Sequence, residues 1–248
     1  MVDRLGYRMR FGVIAPSTNT IVQPEFDAMS PHGVTSHFSR IHIPDDPLGG
    51  DDDFELLMER IRAELMQAVD RVMTARPGHV VMGMSSETFW GGLQGSIELK
   101  AKLEERAGMA VTMGSDASQA ALRCYGDIKR IAVMTPYMPV GDEEVRKFFT
   151  ETGFEVLAIE GFKCESPTAI AHVTGEQMRD AVQRLNDPQV EAILQVGTNL
   201  AFADLAPMAE FWLDKPVLAI NTATYWHALR TKGIEDRIAG FGSLLEDY

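Results

Sequence analysis

The stretch LQVGTNL, residues 194–200, decides how the rest of the chain reads. Apolar residues suited to a buried strand stop at Gly197, and two small polar side chains, Thr198 and Asn199, follow at once. VVMGMSSETF at 80–89 ends the same way, in Ser85 and Ser86. Apolar runs without alternation mark strands covered on both faces, as in parallel sheets flanked by helices. Ligands of such sheets bind beyond the carboxyl ends of the strands. Both stretches therefore read as strands that run into a site.

Working outward, FGVIAP (11–16), VTSHFSRIHI (34–43), HVVMGM (79–84) and MAVTMG (109–114) read as strands. So do RIAVMTP (130–136), FEVLAIEGF (154–162), EAILQVG (191–197) and PVLAINT (216–222). Between them lie amphipathic segments such as FELLMERIRAELMQAVDRVMTA and GEQMRDAVQRLN, so the class is α/β. The second half repeats the landmarks of the first in the same order: FGVIAP with RIAVMTP, VVMGMSS with ILQVGTN, MAVTMGSDASQAA with PVLAINTATYWHA. This predicts two pseudo-symmetric duplicated domains, each an open parallel four-stranded sheet flanked by helices, with a cleft between them. The first is expected over residues 1–114, joined by a C-terminal helix over about 223–248 that packs back on it, and the second over 115–222.

A formal net charge of −13 argues against a nucleic-acid partner, because phosphate neutralisation needs clustered Lys and Arg. No apolar run reaches the roughly 20 residues of a membrane span, and MVDRLGYRMR lacks the apolar centre of a signal peptide. The expectation is a cytoplasmic protein that meets neither membrane nor nucleic acid. The acidic run DDPLGGDDDFE (45–55) reads as a solvated loop leading into a helix N-terminus rather than as a metal site. Cys124, Cys164 and the six histidines show no metal-ligand spacing. With no GxGxxG or GxxxxGK[ST] pattern either, neither metal nor cofactor is expected.

Polar residues follow the strands on every side of the expected cleft. They are Ser17, Thr18 and Asn19, then Ser85 and Ser86, then Ser115 and Ser118. The second half adds Tyr137, Thr198 and Asn199, and Thr222 and Thr224. Neutral donors gathered at helix starts suit a carboxylate. The set expected to hold a small carboxylate is Asn19, Ser85, Ser86, Tyr137, Thr198 and Asn199, with helix capping as the competing role of each.

PSTNTIVQPEF, VMGMSSETFWGG, MTPY and LQVGTNL together resemble the Asp/Glu racemase superfamily, within it the group of maleate cis-trans isomerases and arylmalonate decarboxylases. The resemblance covers most of the chain. It implies cofactor-independent chemistry on carbon next to a carboxylate, carried by one or two cysteine thiols, and a homo-oligomer. At the two positions where the resemblance puts those thiols, this sequence has Met84 and Gly197. Restoring a thiol with Gly197→Cys would, on the same correspondence, face it to the substrate's α-carbon. Cys124 and Cys164 read as core or surface thiols.

Three side chains remain as candidates for the missing acid or base. Glu87 follows the serine pair, Tyr137 closes MTPY, and His172 lies in TAIAHVTGEQM; His227 reads as a packing or surface residue. The expected function is an enzyme of decarboxylase, isomerase or hydrolase type that acts on a small mono- or dicarboxylate without cysteine thiols. The alternative is a member of the same superfamily that binds a carboxylate and has lost catalysis. A periplasmic binding protein is disfavoured by the missing signal peptide.

Overall fold

The computed structural model describes residues 3–248. Among these residues, one sheet holds β1 (Met9–Pro16), β2 (Val34–Ile41), β3 (His79–Met82) and β4 (Val111–Thr112) in the order β2-β1-β3-β4. The other holds β5 (Arg130–Thr135), β6 (Glu155–Gly161), β7 (Ala192–Gln195) and β8 (Val217–Ala219) in the order β6-β5-β7-β8. Every pairing is parallel. The shared strand order is the internal repeat made visible. All four residues of β3 and of β7 are buried, which is why neither alternates in sequence.

The first half carries α1 (Val22–Ala28), α2 (Asp51–Met73), α3 (Ser86–Phe89), α4 (Gly92–Ala107) and α5 (Gly114–Cys124). The second carries α6 (Pro139–Glu151), α7 (Gly175–Leu185), α8 (Ala206–Leu213), α9 (Ile220–Thr231) and α10 (Ser243–Asp247). α2 buries Phe54, Leu57, Met58, Ile61, Leu65, Ala68, Val69 and Val72, a stripe at three- and four-residue spacing. Asp51, Asp52 and Asp53 occupy its first turn, where carboxylates favour the helix dipole. One apolar core runs through both halves, with the Phe89 ring 5.2 Å from that of Phe148 and 5.6 Å from that of Phe149.

Two elements differ from the sequence reading. PVLAINT is strand only to Ala219, because its sole partner β7 ends at Gln195, and the chain turns at Ile220 into α9. The expected single C-terminal helix is two, α9 and α10. Positive φ at Gly233, Gly240 and Gly242 interrupts it. α9 packs against α1, α5, β3 and β4.

The strand order also locates the site. β1 and β3 lie side by side where the order of the first sheet reverses, and β5 with β7 does the same in the second. Such reversal points open a crevice at the carboxyl ends. β4 and β8 run straight into α5 and α9, which pack on each other.

Candidate functional site

The segments after β1, β3, β5 and β7 meet around a cavity of about 60 Å³ between the halves. Thr18, Asn19, Met84, Ser85, Ser86, Tyr137, Gly197, Thr198 and Asn199 line it. Asn19 Oδ1 accepts from the backbone N–H of Ile21 (3.0 Å) and Val22 (2.9 Å), tying it to the first turn of α1. Its amide is thereby oriented so that Nδ2 donates across the cleft to Thr198 Oγ1 at 3.0 Å. Thr198 Oγ1 donates in turn to the Gly83 carbonyl at 3.3 Å. Ser85 Oγ lies 2.8 Å from the Tyr137 hydroxyl and accepts from Thr198 N at 3.2 Å. Asn199 is engaged at both ends of its amide: Oδ1 accepts from Thr20 N at 2.9 Å and Nδ2 donates to the Pro167 carbonyl at 3.0 Å. It reads as a cross-link between the halves.

The rest of the wall is apolar. α2 supplies Phe54, Leu57, Met58 and Ile61, and the segment between β2 and α2 supplies Ile43 and Leu48. The acidic run starts in that segment and continues into α2, and it does more than meet solvent. Leu48 N donates to the Glu165 carbonyl at 2.7 Å, Asp45 accepts from Thr168, and Asp51 accepts from Val140 N at 3.0 Å. It therefore spans from the first half to the second over the cavity. Among the described residues, no Asp, Glu, His, Lys or Arg side chain lines this cavity, and no metal-ligating cluster occurs.

Several sequence candidates lie outside the wall. Glu87 turns away: its Oε1 accepts from Arg62 Nε at 2.6 Å, and the Arg62 guanidinium lies 5.3 Å from the Trp90 ring centre. Burial raises the Glu87 pKa against the lowering by Arg62, and Oε2 is buried without a partner. His172 is exposed at the end of a short 3-10 turn, Ala169–His172. His227 sits beside β4, its Nδ1 3.5 Å from Thr112 Oγ1. Ser17 Oγ bonds the backbone of Ile43. Ser115, Ser118, Thr222 and Thr224 follow the edge strands and are buried on α5 and α9, which pack on each other.

Two findings at the wall correct the reading of the thiols. Cys164, expected in core or surface, lines the cavity from the loop after β6, where its N–H donates to the Pro136 carbonyl at 3.0 Å. Burial pushes its pKa up to about 11, with Glu165 adding to the rise. Among the described residues it is the only titratable side chain of the wall besides Tyr137, whose phenol burial also pushes up. Gly197 has φ +110°, and a Cβ added there would lie 2.4 Å from Pro136 Cδ. A side chain at 197 would therefore collide with the Pro136 ring.

The family model described as arylmalonate decarboxylase matches residues 12–245. The chain is similar to the maleate isomerase of Alcaligenes faecalis, 25% identical over 95% of this chain and 96% of that protein. It is also similar to that of Nocardia farcinica (strain IFM 10152), 23% identical over 95% of each. Solved structures share the fold. The Nocardia farcinica maleate cis-trans isomerase, as a mutant with a covalently bound succinylcysteine intermediate, matches at a TM-score of 0.86, with 22% identity over 96% of this chain and 98% of that one. Arylmalonate decarboxylase matches at a TM-score of 0.76, with 21% identity over 95% and 98%. A duplicated fold matched along nearly its whole length, under one family model, means that the chain belongs to the arylmalonate decarboxylase family, whose relatives here are enzymes of isomerase and decarboxylase type.

Proposed function

We propose that the cavity binds a small diacid of malonate type bearing an apolar substituent, and that the protein decarboxylates it without a cofactor. The observation that carries this reading is the make-up of the wall: neutral donors from both halves at one end, aliphatic and aromatic side chains over the remainder, and no charged group. A carboxylate takes hydrogen bonds from Asn19, Ser85, Ser86, Tyr137 and Thr198. When carbon dioxide leaves, the electron pair of the broken C–C bond moves onto that carboxylate as an enediolate, and the same donors stabilise it. The α-carbon then needs a proton. Cys164 is suited to give one, since a thiol with a pKa near 11 stays protonated at neutral pH. The resulting thiolate recovers its proton from solvent. Isomerisation through thiolate addition is disfavoured by the same protonation state.

Loss of catalysis with retained binding is the competing reading, favoured by Met84 and Gly197 at the positions where the resemblance puts thiols. A thermal-shift screen of small mono- and dicarboxylates, followed by product analysis of the hits, separates the two. Ligands that bind and come back unchanged would leave only the binding role.

Two variants test the roles of individual groups. Losing a hydrogen bond to a charged ligand costs roughly 1.5–3 kcal/mol, and about 1.4 kcal/mol is tenfold in affinity. Ser86→Ala and Tyr137→Phe should each weaken binding by roughly ten- to a hundredfold. Calorimetry showing parental affinity in both would remove the donor set from the site. Cys164→Ser should bind ligand nearly as the parent does, yet turn over roughly a hundredfold more slowly, the range of a lost general acid. Parental turnover would assign the proton to another group.

A further inference from the structure

Two amides lie just behind the loop 197–199: Gln195, the last residue of β7, and Asn221, in the first turn of α9. Each is 1% exposed, and neither lines the cavity. Each instead holds a backbone carbonyl of the loop that does. Gln195 Nε2 donates to the Gly197 carbonyl at 2.7 Å, and its Oε1 accepts from Ile220 N at 3.4 Å. Asn221 Nδ2 donates to the Thr198 carbonyl at 3.0 Å and to Glu25 Oε2 at 2.6 Å. Glu25 is fixed in turn by Ala203 N, which donates to its Oε1 at 3.1 Å. The partners settle how each amide is turned. Asn221 meets two acceptors, so only its NH2 fits there, and Oδ1 is left buried without a partner. An apolar side chain would fill the same place without that orphaned acceptor. The amide is there for its donor.

We propose that Gln195 and Asn221 are positioning residues of the ligand site: they hold the carbonyls of Gly197 and Thr198 out of the cavity, so that the loop offers the ligand donors alone. This rests on the reading of the cavity as a carboxylate site given above. A trans peptide points its N–H and its C=O in opposite directions. With the Gly197 carbonyl held by Gln195, the Thr198 N–H is aimed at Ser85 Oγ in the cavity wall, 3.2 Å away. Ser85 and Tyr137 then share one hydrogen bond between two hydroxyl hydrogens, which leaves one hydrogen for the ligand. With the Thr198 carbonyl held by Asn221, the Asn199 N–H is turned to the other side of the loop from α9, and it has no acceptor among the described residues. A carbonyl turned into the cavity would set its partial negative charge against that of a carboxylate. Among the described residues the wall holds no cation to offset it. A lysine behind the loop could hold the same carbonyls, but it would bury a charge; a neutral amide does not.

Calorimetry with isobutyrate and with isobutyramide tests this, since the two share a shape and differ in charge and in the donors of the amide. The parent is expected to prefer the acid. Asn221→Ala and Gln195→Met each release one carbonyl, so each should bind isobutyrate roughly tenfold more weakly, about the loss of one hydrogen bond to a charged ligand. Isobutyramide, whose NH2 can donate to a carbonyl, should bind as before or more tightly. The reading is the ratio of the two affinities, because a general loosening of the fold weakens both ligands alike. Thr224→Val is the control. It lies on the same helix, fully buried, and its hydroxyl has no partner, so it should keep the parent's ratio. The two test variants act on different carbonyls, and either one that retains the parent's circular dichroism gives the reading. A parental ratio in both overturns the inference alone, as does an equal fall of the ratio in Thr224→Val. A parent that binds neither ligand, or takes the amide as well as the acid, overturns it together with the carboxylate reading.

Discussion

Replacing Gly197 by cysteine is expected to destabilise the fold severely rather than to place a reactive thiol over the ligand. Two penalties add. At φ +110° an L side chain is in a region reserved almost wholly for glycine, at a cost of about 1–3 kcal/mol. The new Cβ would also lie 2.4 Å from Pro136 Cδ and 2.6 Å from Pro136 Cγ. A proline ring has no rotamer by which to withdraw, so backbone must shift, and such overpacking costs about 1–3 kcal/mol more. The sum is a large share of the roughly 5–15 kcal/mol by which domains are stable. At about 2–4 °C per kcal/mol for a chain of this size, the melting temperature should fall by roughly 5–20 °C. Pro136→Ala removes Cγ and Cδ, so the double variant Pro136→Ala/Gly197→Cys should recover the packing part and keep the backbone part. A single variant that melts within about 2 °C of the parent would mean that neither penalty exists.

The same residue shows what the sequence can and cannot disclose. The eight strands and their repeat were legible because parallel strands buried on both faces leave unbroken apolar runs, and Ser85, Ser86, Thr198 and Asn199 mark where β3 and β7 end. The backbone sign at Gly197 leaves no trace in the letters. Nor does the packing of α5 on α9, which keeps the hydroxyls after β4 and β8 out of the cavity. Ser115 and Thr222 look like Ser85 and Thr198 in sequence, yet they fall in the first turns of α5 and α9 and are buried there. Glu87 misled for a local reason. It follows Ser86 on α3, where each residue advances by about 100°, so neighbours of a cavity-facing serine face elsewhere. Cys164 lacked any signal, since it reaches the cavity through the loop after β6, an edge strand whose end carries no motif. The stripe of α2 was legible as a buried face; that its first three turns cover a cavity was not.

Below the cavity a buried carboxylate should make stability fall as pH rises. Glu25, on α1, accepts from Asn221 Nδ2 at 2.6 Å and from Ala203 N at 3.1 Å. Asn221 Nδ2 also donates to the Thr198 carbonyl at 3.0 Å, so Glu25 is tied to the loop that lines the cavity. Burial pushes its pKa up from 4.5 to about 7, against hydrogen bonds that lower it and with Asp204 adding to the rise. Its folded pKa thus lies above its unfolded one, so the folded state holds the proton more tightly. The stability contributed is complete below pH 4.5 and is lost as pH rises through about 7. At roughly 1.4 kcal/mol per pH unit the loss is at most about 3 kcal/mol, less whatever solvent reaches the side chain. Two other groups, elsewhere in the fold, titrate over overlapping pH ranges. Asp142, raised from 3.8 to about 6 by burial, acts in the same direction over its own window. His79, lowered from 6.5 to about 4 by burial, acts oppositely, its contribution present above pH 6.5 and lost as pH falls through about 4. The difference between the parent and Glu25→Gln cancels both. Urea unfolding of the two proteins from about pH 5 to pH 8 should show the variant gaining on the parent by about 2–3 kcal/mol across that span. The lost acceptor in the amide shifts the level of the difference but not its slope, so the slope is the reading. A difference that stays flat from pH 5 to pH 8 would show that Glu25 ionises as freely in the folded protein as in the unfolded chain, and that its link through Asn221 to Thr198 carries no charge-dependent energy.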